Sequence, residues 1–309
     1  MRAVTVRAPG KVNLQLAVGA LGEDGYHPLA TVFQAVDLFE TVTATPRADS
    51  ELRVSVEAPR GLGIDLAAVP TGPDNLVVRA AQALRDTYGV DDGADLHIVK
   101  GVPVAGGMAG GSADAAAAIL ACAEAWELAL SRTELDAVAA TIGADVPFAL
   151  HGHTAVGLGR GSDLSPAMTH GEFHWVLATQ SWGLSTPAVY GEFDRQVAAG
   201  EIAVGEPRIS EAVMTALMAG DAHALGASLH NDLQGPALTL APRLHRVIDA
   251  AEDAEALGVM VSGSGPTVAA LARSRQHALA IAAHLRAEEV AHTVLTASAP
   301  ATGATILAP

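Results

Sequence analysis

The alternation of strand-like and helix-like segments along the chain predicts a mixed fold, either α/β or α+β, rather than an all-α or all-β one. The length of 309 residues suits one large domain or two ordinary ones, and 50% of the residues are hydrophobic, enough for a sizeable core. A glycine-rich loop at residues 103–114 leads directly into an alanine-rich segment with the composition of a helix. Because backbone N–H groups and a helix N-terminus bind phosphate, this pattern predicts that the protein handles a nucleotide.

The first half of the chain contains strands and helices that surround the glycine-rich loop. Residue alternation and flanking turn residues predict strands at 4–7, 12–18, 31–36, 40–45, 52–57 and 95–100. Helical spacing predicts helices at 75–88, 115–123 and 133–142. We expect Asp74 to cap the first helix and Ser131 with Glu134 to form a capping box at the third. Residues 143–147 interrupt the pattern, and 148–158 return to strand-like sequence.

The turn Gly159-Arg-Gly-Ser162 is the best candidate for a domain boundary. We therefore expect a first domain at 1–160, which holds the glycine-rich loop, and a second domain at 161–309. Strands are predicted in the second half at 174–179, 259–262, 268–272 and 292–297. Helices are predicted there at 188–199, 210–219, 242–256 and 275–288.

The charge of the chain restricts its partners. The formal net charge is −16, which argues against nucleic acid and anionic membranes. The only lysines are Lys11 and Lys100, so backbone amides must provide much of the binding of an anionic ligand.

Cys122 is the sole cysteine, which excludes an internal disulfide and a cysteine-based zinc site. Without a signal peptide or a bilayer-spanning apolar run, we expect a soluble, cytoplasmic protein.

The glycine-rich loop differs from two familiar nucleotide motifs. No Gly-Lys-Ser/Thr follows its glycines, so it is not a Walker loop, and its spacing does not match a dinucleotide fingerprint. A flexible surface connection is the alternative. Clustered glycines between a strand and a helix are costly, however, unless a ligand approaches the backbone closely. Ser112 can offer a hydroxyl to a phosphate or a metal, whereas Asp114 is equally well explained as a helix-start residue.

The run Pro103-x-x-x-Gly107-Met-Ala-Gly-Gly-Ser-Ala113 resembles the phosphate loop of the GHMP kinases. Two positions depart from that pattern, because Met108 replaces the usual leucine and Ala109 replaces the usual glycine. A positive φ at Ala109 would strain the backbone. The resemblance implies that ATP binds to Pro103, Val104, Ala105, Gly106, Gly107, Met108, Ala109, Gly110, Gly111, Ser112, Ala113 and Asp114, and that Asn75 lies near the adenine.

Further motifs extend this resemblance to most of the chain. The run Ala8-Pro-Gly-Lys-Val-Asn-Leu14 resembles the first motif of the superfamily, and Gly143-Ala-Asp-Val-Pro-Phe148, Ser262-Gly-Ser-Gly-Pro-Thr267 and Asn231-Asp-Leu233 resemble later ones. Asp24-Gly-Tyr-His27 followed by Thr31-Val-Phe-Gln34 is similar to one branch of the superfamily. Members of that branch phosphorylate the 2-hydroxyl of a cytidine diphosphate-linked methylerythritol in non-mevalonate isoprenoid synthesis.

The resemblance implies an α+β fold of two domains. It pairs an N-terminal α/β domain that binds the nucleotide with a C-terminal ferredoxin-like domain, and it places the active site in the cleft between them. The implied reaction transfers the γ-phosphoryl group of ATP to the alcohol, which leaves ADP and the 2-phosphate.

Lys11 and Asp145 occupy the positions that the family assigns to the reaction centre. Phosphoryl transfer needs a positioned alcohol and a group that offsets the spreading negative charge. A carboxylate can orient the hydroxyl and accept its proton late in the step, and a lysine can hold both the carboxylate and the reacting oxygen. From the residues alone, a solvated surface charge at Lys11 and a turn cap at Asp145 are the preferred explanations.

The resemblance places five residues against the substrate: Asn13, Tyr26, His27, Phe33 and Tyr190. Tyr26 and Tyr190 can stack on a pyrimidine, and His27 can form hydrogen bonds to the base edge. A Tyr-His pair at a hairpin tip and a core Phe33 are the alternatives. The turn Gly263-Ser-Gly-Pro266 can line the same cleft or serve only as a tight turn between strands.

Magnesium is expected to arrive with ATP, since it bridges the β- and γ-phosphates. The 12 histidines show no metal-binding spacing, and Ser112 is the only residue we name as a candidate direct ligand.

Three other functions stay open. They are a related kinase of homoserine, mevalonate or a sugar, a diphosphomevalonate decarboxylase, and a non-catalytic ligand-binding relative. Intact Lys11 and Asp145 disfavour the last of these.

Overall fold

In a computed structural model that describes residues 2–59, 64, 66–104 and 106–308, the chain folds around two β-sheets. Over these residues the first sheet has the strand order β12-β1-β2-β4-β3, with β5 on β2, β6 on β5 and β8 on β1. Its strands are β1 Val4–Val18, β2 Leu29–Arg47, β3 Leu52–Glu57, β4 Gly93–Val99, β5 Thr154–Gly159, β6 Asp163–Pro166, β8 His230–Asn231 and β12 Thr305–Ile306. The pairs β3–β4 and β1–β8 are parallel, and the others are antiparallel.

Two long strands form the centre of the first sheet. The sequence predicted a turn at Pro9-Gly10 and a break after residue 36, but β1 and β2 each run through these points as one strand. Register shifts between Pro9 and Gly10 and between Asn13 and Gln15 keep the two strands paired. A bulge accommodates an extra residue and bends the strand, so residues that look like a turn can remain in a sheet.

Four helices cover the first sheet: α1 Leu76–Tyr88, α2 Gly110–Ala125, α3 Arg132–Ile142 and α4 Val146–His151. The predicted capping box of Ser131 and Glu134 is confirmed at α3. The cap of α1 is Asn75 rather than Asp74, because the Asn75 side chain accepts the N–H of Val77. The predicted strand at 148–158 is wrong in its first part, where α4 ends at His151 and β5 begins only at Thr154.

The second sheet is antiparallel, with the order β11-β7-β10-β9. Its strands are β7 Phe173–Thr179, β9 Gly258–Val261, β10 Val268–Ala272 and β11 Thr293–Ala299. The helices of this half are α5 Thr186–Ala198, α6 Glu211–Ala219, α7 Ala222–Ser228, α8 Gln234–Leu240, α9 Leu244–Asp253 and α10 Arg275–Ala287. The predicted strands and helices are present here within a few residues, whereas the short helices α7 and α8 were not predicted.

The two sheets share a hydrophobic core. Val12 and Leu14 of the first sheet pack with Trp175 and Leu177 of the second. Buried Trp175 donates its indole N–H to the Gln34 side-chain oxygen at 3.1 Å, so the contact between the sheets also includes a satisfied polar pair. The strands beyond residue 160 do not all belong to the second sheet, since β6, β8 and β12 pair with strands of the first. Within the described part of the chain, no helix is both long and apolar enough to cross a membrane.

Helix α2 begins at a strained residue. Its N-cap, Ala109, has φ 57° and ψ 33°, the left-handed conformation that the usual glycine adopts without a Cβ penalty. The positive φ that was expected to strain the backbone at Ala109 is therefore present.

Replacing Ala109 with glycine should raise the free energy of unfolding by about 0.5–1 kcal/mol, because relief of the strain exceeds the added entropy of the unfolded chain. Urea denaturation measures this change. The matched control is Ala283→Gly at an exposed, right-handed position inside α10, which should lower the free energy of unfolding by about 1 kcal/mol. Equal destabilisation by both substitutions would show that Ala109 carries no strain.

Candidate active site

Two adjoining cavities lie where the two halves of the chain meet. The first has a volume of about 400 Å³ and is lined by the glycine-rich loop, β1 and the turn at 263–264. The second, about 800 Å³, is lined by residues 25–27 and by the start of α5. Leu29, Arg160, Thr186 and Tyr190 line both cavities, so one elongated ligand could occupy the two together.

The glycine-rich loop presents main-chain groups to the first cavity. Gly110, Gly111 and Ser112 begin α2 and line this cavity. The first intrahelical bond at this end is donated by the N–H of Ala113 to the oxygen of Ala109, so the N–H groups before it have no helical partner. Unpaired N–H groups at the positive end of a helix favour an anion, which makes this surface suitable for phosphate.

The loop packs against the second half of the chain so closely that side chains are excluded. A Cβ added to Gly107, which has φ +76°, would lie 2.3 Å from the main-chain oxygen of Ser262. A Cβ on Gly106 would lie 2.7 Å from the Thr267 hydroxyl. Glycine at these positions is therefore required by the contact between the loop and the turn that follows β9.

Lys11 and Asp145 lie next to each other in the first cavity. The Lys11 Nζ is 4.0 Å from an Asp145 carboxylate oxygen and donates to the Asn13 side-chain oxygen at 2.6 Å. Asp145 occupies the N-cap position of α4, yet its side chain makes no capping hydrogen bond, so the turn-cap explanation does not account for this carboxylate. Lys11 and Asn13 are two residues apart on β1 and therefore share a face of the strand. Phe33, paired with Asn13 across β1 and β2, lines the same cavity.

Burial controls the ionisation of the groups around this pair. The Lys11 side chain is only 8% exposed, and loss of solvation lowers its pKa, while the nearby Asp145 charge opposes this shift. The pKa of Tyr190 is raised to about 12 by burial and by Asp145, so its hydroxyl stays protonated and can donate a hydrogen bond. The main-chain N–H of Lys11 donates to the Met108 oxygen, which links β1 to the glycine-rich loop.

Aromatic side chains line the second cavity. The His27 and Tyr190 rings are stacked with centroids 5.2 Å apart. The His27 Nδ1 is 2.8 Å from the Gly19 main-chain oxygen, so Nδ1 carries the proton, and Nε2 lies 3.4 Å from an Asp194 carboxylate oxygen. Tyr26 is 54% exposed, and the Arg160 guanidinium lies 3.6 Å from the centre of its ring.

Most of the residues selected from the sequence line one of the two cavities: Lys11, Asn13, Phe33, Gly106, Gly107, Ala109, Gly110, Gly111, Ser112, Asp145 and Tyr190 in the first, and Tyr26, His27 and again Tyr190 in the second. The expected cleft-lining turn after β9 also contributes, through Gly263 and Ser264. A further group of selected residues lines neither cavity: Asn75, Pro103, Val104, Met108, Ala113 and Asp114. Ala105 lies outside the described residues.

Packing and hydrogen bonds explain why three of these residues lie outside the cavities. Met108 is fully buried and packs in the core shared by the two sheets. Asp114 is buried and forms an ion pair with Lys100 rather than facing the cavity. The Asn75 side chain is held by two hydrogen bonds, since its oxygen caps α1 and its amide donates to the Pro70 oxygen, whereas the next residue, Leu76, lines the cavity.

Sequence reasoning missed Arg160 and Thr31. Arg160 lines both cavities and forms an ion pair with Asp24 at 3.0 Å. It was interpreted only as part of a turn, although a cation between two glycines after a strand is a weak signal for an anion site. The Thr31 hydroxyl accepts a hydrogen bond from the Asn13 amide at 2.9 Å and so orients that side chain. Its position in the Thr31-Val-Phe-Gln34 motif was the available signal.

Over the described residues, no group of three or more His, Cys, Asp or Glu side chains is arranged to hold a metal ion. Ser112, at the start of α2, and Asp145 line the first cavity and present side-chain oxygen atoms there. Oxygen ligands suit Mg²⁺, which usually binds proteins through few side chains together with the phosphates of its nucleotide. The cavity therefore fits a magnesium ion that enters as part of MgATP.

Comparisons with known proteins agree with this geometry. Residues 75–153 match the family "GHMP kinases N terminal domain", and residues 213–291 match "GHMP kinases C terminal". The chain is 51% identical to a 4-diphosphocytidyl-2-C-methyl-D-erythritol kinase of Clavibacter michiganensis, over 98% of this chain and 96% of that protein. It is also 51% identical to the protein of that name from Streptomyces coelicolor, over 98% of this chain and 99% of the other.

Solved structures show the same fold. A crystal structure of a 4-(cytidine 5'-diphospho)-2C-methyl-D-erythritol kinase superposes with a TM-score of 0.76 at 31% identity, covering 96% of this chain and 99% of the other. A homoserine kinase from Cytophaga hutchinsonii has the same fold, with a TM-score of 0.73 at 18% identity over 99% of this chain and 98% of that one. The predicted α+β, two-domain GHMP kinase fold is confirmed. The chain therefore belongs to the GHMP kinases, within the family of 4-diphosphocytidyl-2-C-methyl-D-erythritol kinases.

Proposed function

We propose that the two cavities hold ATP and the cytidine diphosphate-linked methylerythritol during phosphoryl transfer, with the reaction centre at Lys11 and Asp145. The protein is an ATP-dependent kinase that phosphorylates the 2-hydroxyl of 4-diphosphocytidyl-2-C-methyl-D-erythritol and forms the 2-phosphate and ADP in isoprenoid synthesis. One observation carries the site assignment. A lysine and a carboxylate 4.0 Å apart line the same cavity as the N-terminus of α2.

Lys11 offsets negative charge at the reaction centre. Phosphoryl transfer spreads charge over the transferred group, and a preorganised cation in a water-poor site stabilises that charge strongly. The buried Lys11 ammonium is held by Asn13 and lies between Asp145 and the glycine-rich loop. Burial also removes water that would compete with the substrate hydroxyl.

Asp145 orients the alcohol. A carboxylate without a capping hydrogen bond retains lone pairs for the substrate hydroxyl and can accept its proton as the new P–O bond forms. A carboxylate is in general a weak base for a ground-state alcohol, so proton transfer occurs late, once the attacking oxygen has become acidic. Lys11 keeps the carboxylate in place during this step.

The magnesium of MgATP would contact the Ser112 hydroxyl, which faces the first cavity at the start of α2. When bound, the ion neutralises charge on the β- and γ-phosphates. The N–H groups at the N-terminus of α2 bind the same phosphates and fix their position relative to Lys11.

The cytidine moiety occupies the second cavity. Tyr26, His27 and Tyr190 supply flat faces there, and base–aromatic stacking is a strong contribution to nucleobase binding. The methylerythritol unit then reaches the first cavity, where Asn13 and Phe33 contact it beside the reaction centre. Because Tyr190 lines both cavities, it contacts the substrate where the two moieties join.

We also propose the division into two domains near residue 160 and a location in the cytoplasm. The division is supported by the two separate family matches and by the two sheets. The cleft between the domains contains both cavities, and the C-terminal strand β12 returns to the first domain.

The purified protein with ATP, magnesium and 4-diphosphocytidyl-2-C-methyl-D-erythritol should release ADP in proportion to the alcohol phosphorylated. Parallel reactions with homoserine, mevalonate and galactose should release no more ADP than a reaction without acceptor, and diphosphomevalonate should yield no carbon dioxide. Faster turnover of any of these compounds would assign a different activity to the chain.

Asp145→Asn should lower kcat by about 10²–10⁴-fold and leave the KM for both substrates close to that of the unsubstituted protein, because it removes the proton acceptor without removing volume. Steady-state kinetics measure both values. Asp163→Asn, at an exposed carboxylate on β6, is the matched control and should have no effect. Normal turnover by Asp145→Asn would exclude the proposed mechanism.

The pH profile of kcat/KM should report the charge of Lys11 in the free protein. Its ammonium form is the active one and its pKa is lowered by burial, so kcat/KM should fall on the alkaline side at a pH below the ordinary lysine value of 10.5. Lys11→Arg should turn over more slowly but lose this alkaline fall, since a guanidinium stays charged. An unchanged alkaline limb in Lys11→Arg would assign it to another group.

Tyr190→Ala should raise the KM for the cytidine substrate about ten-fold or more, because base–aromatic stacking contributes about 1–3 kcal/mol per base. The KM for ATP should not change. Tyr190→Phe keeps the ring and should retain most of the affinity, which separates stacking from the hydroxyl. An equal rise of both KM values in Tyr190→Ala would instead indicate a general loss of structure.

A further inference from the structure

A buried cluster of three charged side chains lies behind the glycine-rich loop. The Lys100 Nζ is 2.6 Å from a Glu40 carboxylate oxygen and 2.5 Å from an Asp114 carboxylate oxygen. The side chains of Glu40, Lys100 and Asp114 are 0%, 3% and 7% exposed, respectively. Neither the proposed transfer step nor the contacts to the two substrates use these residues.

The cluster joins the two ends of the glycine-rich loop. Lys100 immediately follows β4 and precedes the loop, whereas Asp114 lies in α2, where the loop ends. Glu40, on β2, accepts the N–H of Gly101 at 2.9 Å through its second oxygen. One ammonium therefore ties both ends of the loop to the central strand of the sheet.

The cluster also lies directly behind the anion-binding surface. A Cβ added to Gly110 would be 2.9 Å from a Glu40 carboxylate oxygen, while Gly110 itself lines the first cavity. The glycine backbone is thus the only layer between this carboxylate and the cavity at that point. Charges separated by so thin a layer of protein interact strongly, because the effective dielectric constant there is low.

The cluster contains one more carboxyl group than ammonium groups. If both carboxyls are ionised, a net negative charge faces the site at which ATP phosphates are proposed to bind. Asp114 Oδ1 is buried and has no hydrogen-bond partner among the described residues, so this charge is only partly compensated. A proton on Glu40 would make the cluster neutral.

We propose that Glu40, Lys100 and Asp114 are positioning residues for ATP. Lys100 offsets the negative charge of the carboxylates behind the glycine-rich loop, and a proton on Glu40 cancels the charge that remains. The protonated cluster therefore favours phosphate binding. This inference rests on the proposed binding of ATP phosphates to the loop. It gives Lys100 a role in nucleotide binding that acts across the backbone of the loop rather than by direct contact.

The surroundings of Glu40 determine the sign of the pH dependence. The charged groups that face its carboxyl are Lys100 after β4 and Asp114 on α2, whereas β1 places Ala8 opposite Glu40. Burial, and then the charge of Asp114, raise the pKa of Glu40 above the ordinary carboxyl value, although Lys100 opposes the shift. ATP binding should therefore weaken as the pH rises through this raised pKa and Glu40 loses its proton.

Calorimetric titration with ADP and with a non-hydrolysable ATP analogue, both with magnesium, tests the inference at about pH 7 and about pH 9. The unsubstituted protein should bind both nucleotides about ten-fold more weakly at the higher pH. Glu40→Gln, which has the charge of the protonated form, should match it at the lower pH and lose less affinity than the unsubstituted protein at the higher one. Comparison of the two proteins cancels the titration of the nucleotide and of Lys11, which both proteins share.

Lys100→Met leaves the carboxylates without a cation and should weaken nucleotide binding at both pH values, while Lys100→Arg should restore it. In steady-state kinetics Lys100→Met should raise the KM for ATP and Lys100→Arg should not, and both should leave kcat and the KM for the cytidine substrate unchanged. The control is Gln34→Leu, which removes another fully buried polar group from β2 by breaking its contacts with Trp175 and Thr154. It should lower the melting temperature without changing nucleotide affinity at either pH.

A pH dependence in Glu40→Gln equal to that of the unsubstituted protein would overturn the inference. So would changes of nucleotide affinity in Glu40→Gln and Lys100→Arg that are proportional to their losses of melting temperature and that Gln34→Leu reproduces. Failure of the folded, unsubstituted protein to bind ADP at the lower pH would instead contradict the proposed function. If Lys100→Met does not fold, Glu40→Gln and Lys100→Arg still decide the question.

Discussion

The active site depends on a main-chain contact that only glycine permits. Gly107, in the loop of the first domain, approaches the Ser262 oxygen so closely that a Cβ would lie 2.3 Å from it. The same turn of the second domain brings Gly263 to Lys11 and Asn13, where an added Cβ would be 3.5 Å from the Lys11 Nζ. A larger residue at Gly107 would push the two halves apart at the cleft. This one contact therefore sets the distance between the glycine-rich loop, the reaction centre and the second domain.

The charge distribution follows from the need to bind two anionic substrates with an acidic chain. The net charge is −16 and the chain has two lysines. Lys11 lies in the cleft, Lys100 lies behind the glycine-rich loop, and Arg160 lies where the two cavities meet. Main-chain N–H groups at the start of α2 add the positive ends of their dipoles to this binding surface. Both lysines thus lie in or directly behind the cleft, where their low solvent exposure strengthens their interaction with an anion.

Local sequence was sufficient for most elements because their signals are local. Ser131 and Glu134 form a capping box from residues three positions apart, and α2 follows from an alanine-rich run. Errors occurred where long-range pairing outweighed a local preference. Pro9 and Gly10 are typical turn residues, yet the partner strand β2 holds them in a bulge. The strand-like residues after Pro147 form α4 instead, which packs against α2.

The sequence by itself determined the chemistry that this protein can perform, because motif residues such as Lys11, Asp145 and the glycines of the loop are defined by type and order along the chain. Only the tertiary structure decided which of them meet. It placed Asp145 beside Lys11 although 134 positions separate them in the sequence (145 − 11), and it turned Asp114 away from the cavity to Lys100. The direction of a side chain depends on what packs against it from distant elements, and no local pattern contains that information.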